Sequence, residues 1–176
     1  MTRVLLVRHA RPAAGFDAAP DPGLDPIGHG QADALAAHLG VQPPLAVVTS
    51  PLRRARETAA PLARRWACRP DVVAAFGEIP APQGPPAERA AWLRAVMPLT
   101  WDDVEPRLLD WRTELLETLA AQPRDGVVVT HFVAINTIVG MATGDRRLVS
   151  CTPGHASVTE VEVAAGAVTL RSGPGS

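Results

Sequence analysis

The stretch that decides the fold is Val4-Leu5-Leu6-Val7-Arg8-His9-Ala10-Arg11, near the start of the chain. Four consecutive apolar residues are typical of a strand that is buried on both faces, as in the parallel sheets of α/β proteins. This run ends in the basic side chains of Arg8 and His9. Because ligands of open α/β sheets bind beyond the carboxyl ends of the strands, this strand end predicts a functional site.

The segments that follow repeat the order of strand and helix. Residues 11–24 are rich in proline and glycine, which indicates a surface loop. Asp25 has the character of a helix N-cap, Pro26 suits the first helical position, and Gly40 ends the helix.

A second buried strand is predicted over residues 45–49. Ser50 then follows as N-cap and Pro51 as first residue of the next helix. Pro61 lies inside this helix and should kink or shorten it, because proline lacks the N–H that the helix interior needs.

The second half of the chain continues the alternation. The predicted elements are a strand over 72–76, a short helix over 87–97, a longer helix from Asp102 or Pro106 to Ala121, a strand over 126–130, a helix over 132–142, and a hairpin of strands 158–163 and 167–170. Strands that alternate with helices predict an α/β fold, a three-layer αβα sandwich with a mostly parallel central sheet.

The length and composition indicate one globular domain. A chain of 176 residues is expected to form a single domain over 1–176, with residues 79–103 as an inserted loop and helix that covers the site. The net charge of −1 argues against nucleic acid as a partner. The two cysteines lack a CxxC spacing, so they suggest neither a zinc site nor a disulfide framework. The early apolar run is too short for a signal peptide or a membrane span, so we expect a cytoplasmic protein.

Three strand ends bring polar residues to one edge of the predicted sheet. They are Arg8 with His9, the segment 50–54, and Thr130 with His131. Arginines bind phosphate bidentately, and the amides at a helix N-terminus add partial positive charge. Nearby cations keep a histidine neutral, so His9 is a candidate nucleophile. Such an arrangement can transfer a phosphoryl group without a metal or cofactor.

Three segments of the chain resemble the histidine phosphatase superfamily, also called phosphoglycerate mutase-like. Arg8-His9-Ala10 corresponds to the Arg-His-Gly signature after the first strand. Residues 24–32 correspond to the segment Leu-Thr-x-x-Gly-x-x-Gln-Ala, and residues 50–55 to Ser-x-Leu-x-Arg-Ala. Most of the chain is covered by this resemblance.

The resemblance implies a role for each residue that matches. His9 would carry the phosphoryl group, while Arg8 and Arg54 would bind phosphate. His131, after the valine-rich strand, would bind the transferring oxygens. Glu78 is the best match to the glutamate that donates a proton.

His155 is a further candidate for substrate binding, because it precedes the last hairpin near the same sheet edge. The alternative is an ordinary loop histidine.

The chain also departs from the pattern of the family. Ala10 replaces glycine, a small change where the backbone does not need a positive φ. Phe132 replaces the glycine that commonly follows the second histidine, and Asn136 lies where an arginine often occurs. Glu78 is followed by residues 79–82, Ile-Pro-Ala-Pro, instead of a glycine and tryptophan segment.

The expected function is hydrolysis of a phosphomonoester through a phosphohistidine on His9. The expected partner is a phosphorylated small molecule, and a phosphoprotein substrate stays open. Two alternatives remain at this point, a mutase-type phosphotransferase and a catalytically silent module that binds phosphorylated ligands.

Overall fold

The computed structural model describes residues 1–15 and 18–173. Within these residues the strands are β1 (Thr2–Arg8), β2 (Ala46–Thr49), β3 (Asp71–Val72), β4 (Gly126–Thr130), β5 (Val158–Ala164) and β6 (Ala167–Ser172). The α-helices are α1 (Pro26–Leu39), α2 (Arg53–Arg65), α3 (Pro86–Val96), α4 (Pro106–Ala120) and α5 (Phe132–Thr143). No helix in the described parts of the chain is long and apolar enough to cross a membrane.

The strands form one mixed sheet in the order β3-β2-β4-β1-β5-β6. Strands β1 to β4 are parallel, whereas β5 pairs antiparallel with β1, and β6 antiparallel with β5. The predicted α/β fold and the closing hairpin are therefore confirmed.

The central strand β1 is buried on both faces. Leu5 and Val7 pack with apolar residues of α1 and α2. Val4 and Leu6 point to the opposite face and pack with residues of α4 and α5. The unbroken apolar run predicted from the sequence is thus explained by helices on each side of the sheet.

Parallel pairing brings the ends of β1, β2 and β4 to one edge. Arg8 pairs with Thr130, the last residue of β4. Beyond the strands, the amide of His9 donates to the carbonyl of Thr130 at 2.9 Å. The amide of Ser50 donates to the carbonyl of Val129 at 3.0 Å. These hydrogen bonds continue the ladder past the last strand residues and fix where the first site residues begin.

The predicted strand over 72–76 is wrong for most of its length. Only Asp71 and Val72 pair with β2, and residues 74–76 form a 3₁₀ turn. The short β2 explains this, because the amide of Val73 already bonds to the carbonyl of Thr49, the last residue of that strand. The chain then turns so that Phe76 is fully buried in the core.

The predicted start of α2 is also wrong. The helix begins at Arg53 with Leu52 as its N-cap, and no side chain caps it. Ser50 instead bonds to a histidine of the site described below. The helix continues four residues beyond Pro61, which does not end it. Burial of Leu62 against the sheet outweighs the missing hydrogen bond.

The N-terminus of α1 is as predicted. The Asp25 carboxylate accepts a hydrogen bond from the amide of Gly28 at 2.7 Å, and Pro26 is the first helical residue. A Cβ at Gly28 would overlap the backbone oxygen of Arg11. This close approach joins α1 to the loop that leaves β1.

Two glycines of α1 provide a matched test of this contact. Gly28→Ala should lower the free energy of unfolding by about 1–3 kcal/mol, because the added methyl group displaces backbone. Gly30→Ala should raise it by about 0.5–1 kcal/mol, since nothing lies within 4 Å of the added atom and alanine favours a helix. Urea unfolding measures both values. Equal stabilisation by the two substitutions would show that α1 and the loop are not in contact.

Candidate active site

A pocket of about 600 Å³ opens at the carboxyl edge of the sheet. Its lining includes five of the six site residues predicted from the sequence: Arg8, His9, Arg54, Glu78 and His155. They come from β1, its following loop, α2, the segment after the 3₁₀ turn, and the loop before β5. The pocket combines this charged cluster with an apolar wall, which is typical of small-molecule sites.

His9 is held as a neutral base with one unprotonated nitrogen. Its Nδ1 lies 2.8 Å from the carbonyl oxygen of Ala10. A carbonyl only accepts hydrogen bonds, so Nδ1 carries the proton and Nε2 keeps its lone pair. Burial, and then the Arg54 guanidinium, lower the pKa of His9 to about 3. The imidazole is therefore uncharged at neutral pH and suited to nucleophilic attack.

Arg54 contacts the reactive nitrogen of His9 directly. Its Nε donates to Nε2 of His9 at 3.2 Å, and the Arg54 side chain is almost fully buried. Asp21 lies 3.9 Å from the same guanidinium and is itself substantially exposed. A cation buried beside a neutral nucleophile is well placed to bind an anion that approaches that nucleophile.

Arg8 completes the cationic part of the pocket. It donates to the carbonyl of Pro153 at 2.7 Å, and its guanidinium lies 5.1 Å from the centre of the Phe132 ring. Its Nε is buried and bonds to none of the described residues. Burial lowers the pKa of both Arg8 and Arg54 from the usual value of a guanidinium.

Glu78 is fixed at the N-terminus of α5. The amides of Ile79 and Val133 donate to its carboxylate at 3.0 and 3.1 Å. Burial nevertheless raises the pKa of Glu78, against the opposing effect of these amides and of the two arginines. A carboxyl group that stays protonated to higher pH is suited to general acid catalysis.

His131 lies behind His9 instead of in the pocket wall. The two ring centres are 5.2 Å apart, and His131 is fully buried. Its Nε2 lies 2.7 Å from the Ser50 hydroxyl, while Nδ1 bonds to none of the described residues. Burial and the neighbouring cations hold the pKa of His131 well below its usual value. The geometry thus places it beside the nucleophile without exposing it.

The contact between Ser50 and His131 was not predicted, because the sequence indicated mainly a helix cap at position 50, within a segment at the site edge. The Ser50 hydroxyl accepts from the amide of Leu52 at 3.2 Å and also bonds to His131. Position 50, directly after a strand, was the available signal.

Thr58 was missed entirely. Its hydroxyl accepts from the amide of Ala10 at 2.9 Å and donates to the carbonyl of Arg54 at 2.7 Å. It therefore ties the residue that orients His9 to the helix that carries Arg54. The spacing of four residues between Arg54 and Thr58 was the only signal in the sequence.

His155 and Phe132 both line the pocket. The ring of His155 lies 5.8 Å from that of His9, and its side chain is half-buried.

Asn136 has a different role. Its carboxamide donates to the carbonyl of Phe132 and accepts from the amides of Ser150 and Cys151, both at 2.8 Å. It therefore fixes α5 to a loop and does not line the pocket.

Ala10 fits its position without strain. It is buried, and the described non-glycine residues with a positive φ are Ala67, Ala156 and Ala165. The backbone at position 10 therefore does not require glycine.

Among the described residues, no three His, Cys, Asp or Glu side chains are grouped so that they could hold a metal ion.

Solved structures share this fold over nearly their whole length. A mycobacterial glucosyl-3-phosphoglycerate phosphatase in complex with VO3 is 24% identical with a TM-score of 0.77, and the match covers 100% of each chain. A phosphoserine phosphatase from Entamoeba histolytica in complex with 3-phosphoglyceric acid is 19% identical with a TM-score of 0.74, covering 100% of this chain and 98% of the other. Bacillus stearothermophilus YhfR is 18% identical with a TM-score of 0.78, covering 98% and 96%.

At these identities the likeness shows a common fold. No curated protein sequence matches the chain significantly. A sequence profile does match, over residues 4–172, and it describes the histidine phosphatase superfamily (branch 1). This match confirms the resemblance and supports the expected enzyme class, a phosphoric monoester hydrolase. The chain belongs to the histidine phosphatase superfamily.

Proposed function

We propose that this chain is a metal-independent phosphatase that hydrolyses a phosphorylated small molecule through a phosphohistidine on His9. The observation that carries the proposal is the pair formed by Nε2 of His9 and Nε of Arg54, 3.2 Å apart and buried. A neutral nucleophile in direct contact with a buried cation is the arrangement that attack on an anionic phosphorus requires.

In the first step, Nε2 of His9 attacks phosphorus and the ester P–O bond breaks. The leaving oxygen takes the proton of Glu78, so the alcohol departs neutral. In the second step, water attacks the phosphohistidine and gives a proton to the Glu78 carboxylate. The P–N bond then breaks, which releases inorganic phosphate and restores neutral His9.

Four residues assist both steps in this proposal. Arg8 and Arg54 bind the phosphoryl oxygens and offset their charge, and His155 contacts the substrate from the opposite loop. His131 contributes through its contact with His9 and through the buried Nδ1, which bonds to no described residue. The solved structures of similar fold include complexes with phosphate, 3-phosphoglyceric acid and phosphoserine, which supports a small phosphorylated substrate.

Residues 79–103 are proposed to cover the site within one domain. Leu93 of α3 and Met97, directly after it, line the pocket that contains His9. Within this segment Val96 and Trp101 pack against Leu108 of α4 and Leu148. A small apolar cluster therefore holds the covering segment to the rest of the domain.

Replacing the nucleophile tests the proposal. His9→Ala should lower kcat for p-nitrophenyl phosphate at least about 1,000-fold, because it removes the nucleophile that forms the intermediate. His38→Ala, an exposed histidine at the end of α1, is the matched control and should keep full activity. Both are assayed with EDTA present. Turnover by the His9 variant at the normal rate would disprove the mechanism, and a wild-type protein without turnover would indicate a binding module.

The role of Glu78 predicts a dependence on the leaving group. Glu78→Gln should slow an alkyl phosphate by about 10²–10⁴-fold, because an alkoxide leaves slowly without a proton. p-Nitrophenolate leaves without help, so formation of the phosphohistidine from that ester should change little in a pre-steady-state burst. Glu114→Gln, on the exposed side of α4, is the control. Equal losses in this first step for both esters would exclude Glu78 as the acid.

The pKa shifts predict the pH profile for the alkyl ester. The acid form of Glu78 is needed, and burial raises its pKa, so kcat/KM should fall as pH rises through that raised value. His9 must be neutral, and its pKa of about 3 removes the loss of activity that an ordinary histidine would show below pH ~6.5. Measurement of kcat/KM from pH 4 to 9 covers both the acid side and the alkaline side of the profile. The phosphate group of the ester itself titrates with a pKa of about 6, so its ionisation is measured separately by ³¹P NMR of the free ester. An additional acid-side midpoint near 6.5, beyond the one due to the ester, would contradict the assigned state of His9.

A further inference from the structure

The wall of the active-site pocket consists of a group of ionisable side chains and a group of apolar side chains. Among the described residues of the wall, the ionisable ones are His9, His155, Glu78 and three arginines, and of these Arg11 lies outside the proposed mechanism. Every other described residue of the wall has an apolar side chain or is glycine. The larger ones are Pro12, Pro20, Pro22, Leu93, Met97 and Phe132.

The charged groups of the wall already have partners or roles. Arg8 and Arg54 face the phosphoryl group in the proposed function. Arg11 forms an ion pair with Asp25, with two of its nitrogens 2.6 Å from one carboxylate oxygen. Burial and the nearby arginines lower the pKa of His155, which favours its neutral form. A second anionic group on the substrate would therefore have to compete for cations that are engaged.

A neighbouring cavity of about 390 Å³ is polar, and its wall includes Arg54, Glu78, Gln83 and Arg89. His9 is not part of that wall. A phosphoryl group in reach of Nε2 of His9 lies in the larger pocket, so the organic part of the ester also begins there. The polar cavity suits water or released phosphate.

We infer that the substrate is a phosphomonoester of an apolar alcohol, alkyl or aryl, whose organic group packs against Leu93, Met97 and Phe132. This inference rests on the proposed function for the phosphate end of the site. The apolar wall contributes affinity through burial of the organic group, at about fourfold for each methylene. A glyceryl or sugar group would leave hydroxyls without partners, at a loss of about tenfold each.

Non-hydrolysable phosphonates test the inference by binding alone. Calorimetry would compare n-propylphosphonate, n-pentylphosphonate and 3-phosphonopropionate, which has the length of the propyl compound and a terminal carboxylate. The wild-type protein should bind the pentyl compound about sixteenfold more tightly than the propyl compound, because it buries two more methylenes. It should bind 3-phosphonopropionate more weakly than either.

Two arginine variants locate the organic group. Met97→Arg places a cation on the apolar wall and should reverse the order of propylphosphonate and 3-phosphonopropionate. Val41→Arg adds the same side chain at a position that is 83% exposed and away from the pocket, and should leave the order unchanged. The inference is overturned if the wild type prefers 3-phosphonopropionate, or if affinity does not depend on chain length.

Measurements of phosphonate binding and of phosphate ester hydrolysis distinguish the proposed catalysis from the proposed apolar specificity. If the phosphonates bind in the expected order but no phosphate ester is hydrolysed, the proposed catalysis fails and the apolar specificity stands. If alkyl phosphates are hydrolysed but 3-phosphoglycerate and phosphoserine are preferred over propyl and pentyl phosphate, the catalysis stands and the apolar specificity is wrong. Loss of that preference on substitution of Arg89 would place the organic group in the polar cavity instead.

Discussion

The hydrogen bond from Nδ1 of His9 to the carbonyl of Ala10 is the interaction on which the rest of the site depends. It fixes the tautomer, so that Nε2 is the unprotonated nitrogen, whose lone pair faces Arg54. The carbonyl itself is held in place, because the amide of Ala10 donates to Thr58 and the amide of His9 continues the ladder of β4. The central sheet and α2 thus jointly orient one imidazole ring.

Burial decides the charge of this ring. A cation in a desolvated site is costly, and two arginines already occupy the surroundings of His9. His9, His131 and His155 all have lowered pKa values for that reason, with burial as the main cause in each case. The positive charge is consequently concentrated on Arg8 and Arg54. A phosphoryl dianion is the ligand that such a site stabilises most.

Much of the fold was predictable because its signals are local and repeated. The run Val4–Val7 predicted a strand covered on both faces, and Asp25 with Pro26 predicted the start of α1, as observed. The failures occur where a partner distant in sequence decides the structure. Ser50 is a residue type that is favoured at helix N-caps, but its hydroxyl forms a hydrogen bond with His131. The apolar residues 73–76 leave the sheet because β2 ends at Thr49.

The same distinction holds for the site. The strand ends predicted Arg8, His9 and Arg54, the family resemblance indicated Glu78, and the place of His155 near the same sheet edge made it a candidate. The fold brings all five to one pocket. The burial of His131 and the linking role of Thr58 depend on three-dimensional packing that no motif encodes. The apolar wall is also a product of assembly, since Pro12, Leu93 and Phe132 come from three separate segments. No one of these three segments, considered by itself, predicts a substrate pocket.

The most direct test of the account is to identify the phosphorylated atom during turnover. The protein would be quenched in alkali with a phosphomonoester present, and the label located by peptide mass spectrometry and by ³¹P NMR. Phosphate is expected on Nε2 of His9, because Nδ1 is protonated and bonded to Ala10. Phosphate on Nδ1, phosphate on His131 or His155, or continued hydrolysis with no labelled histidine would contradict it.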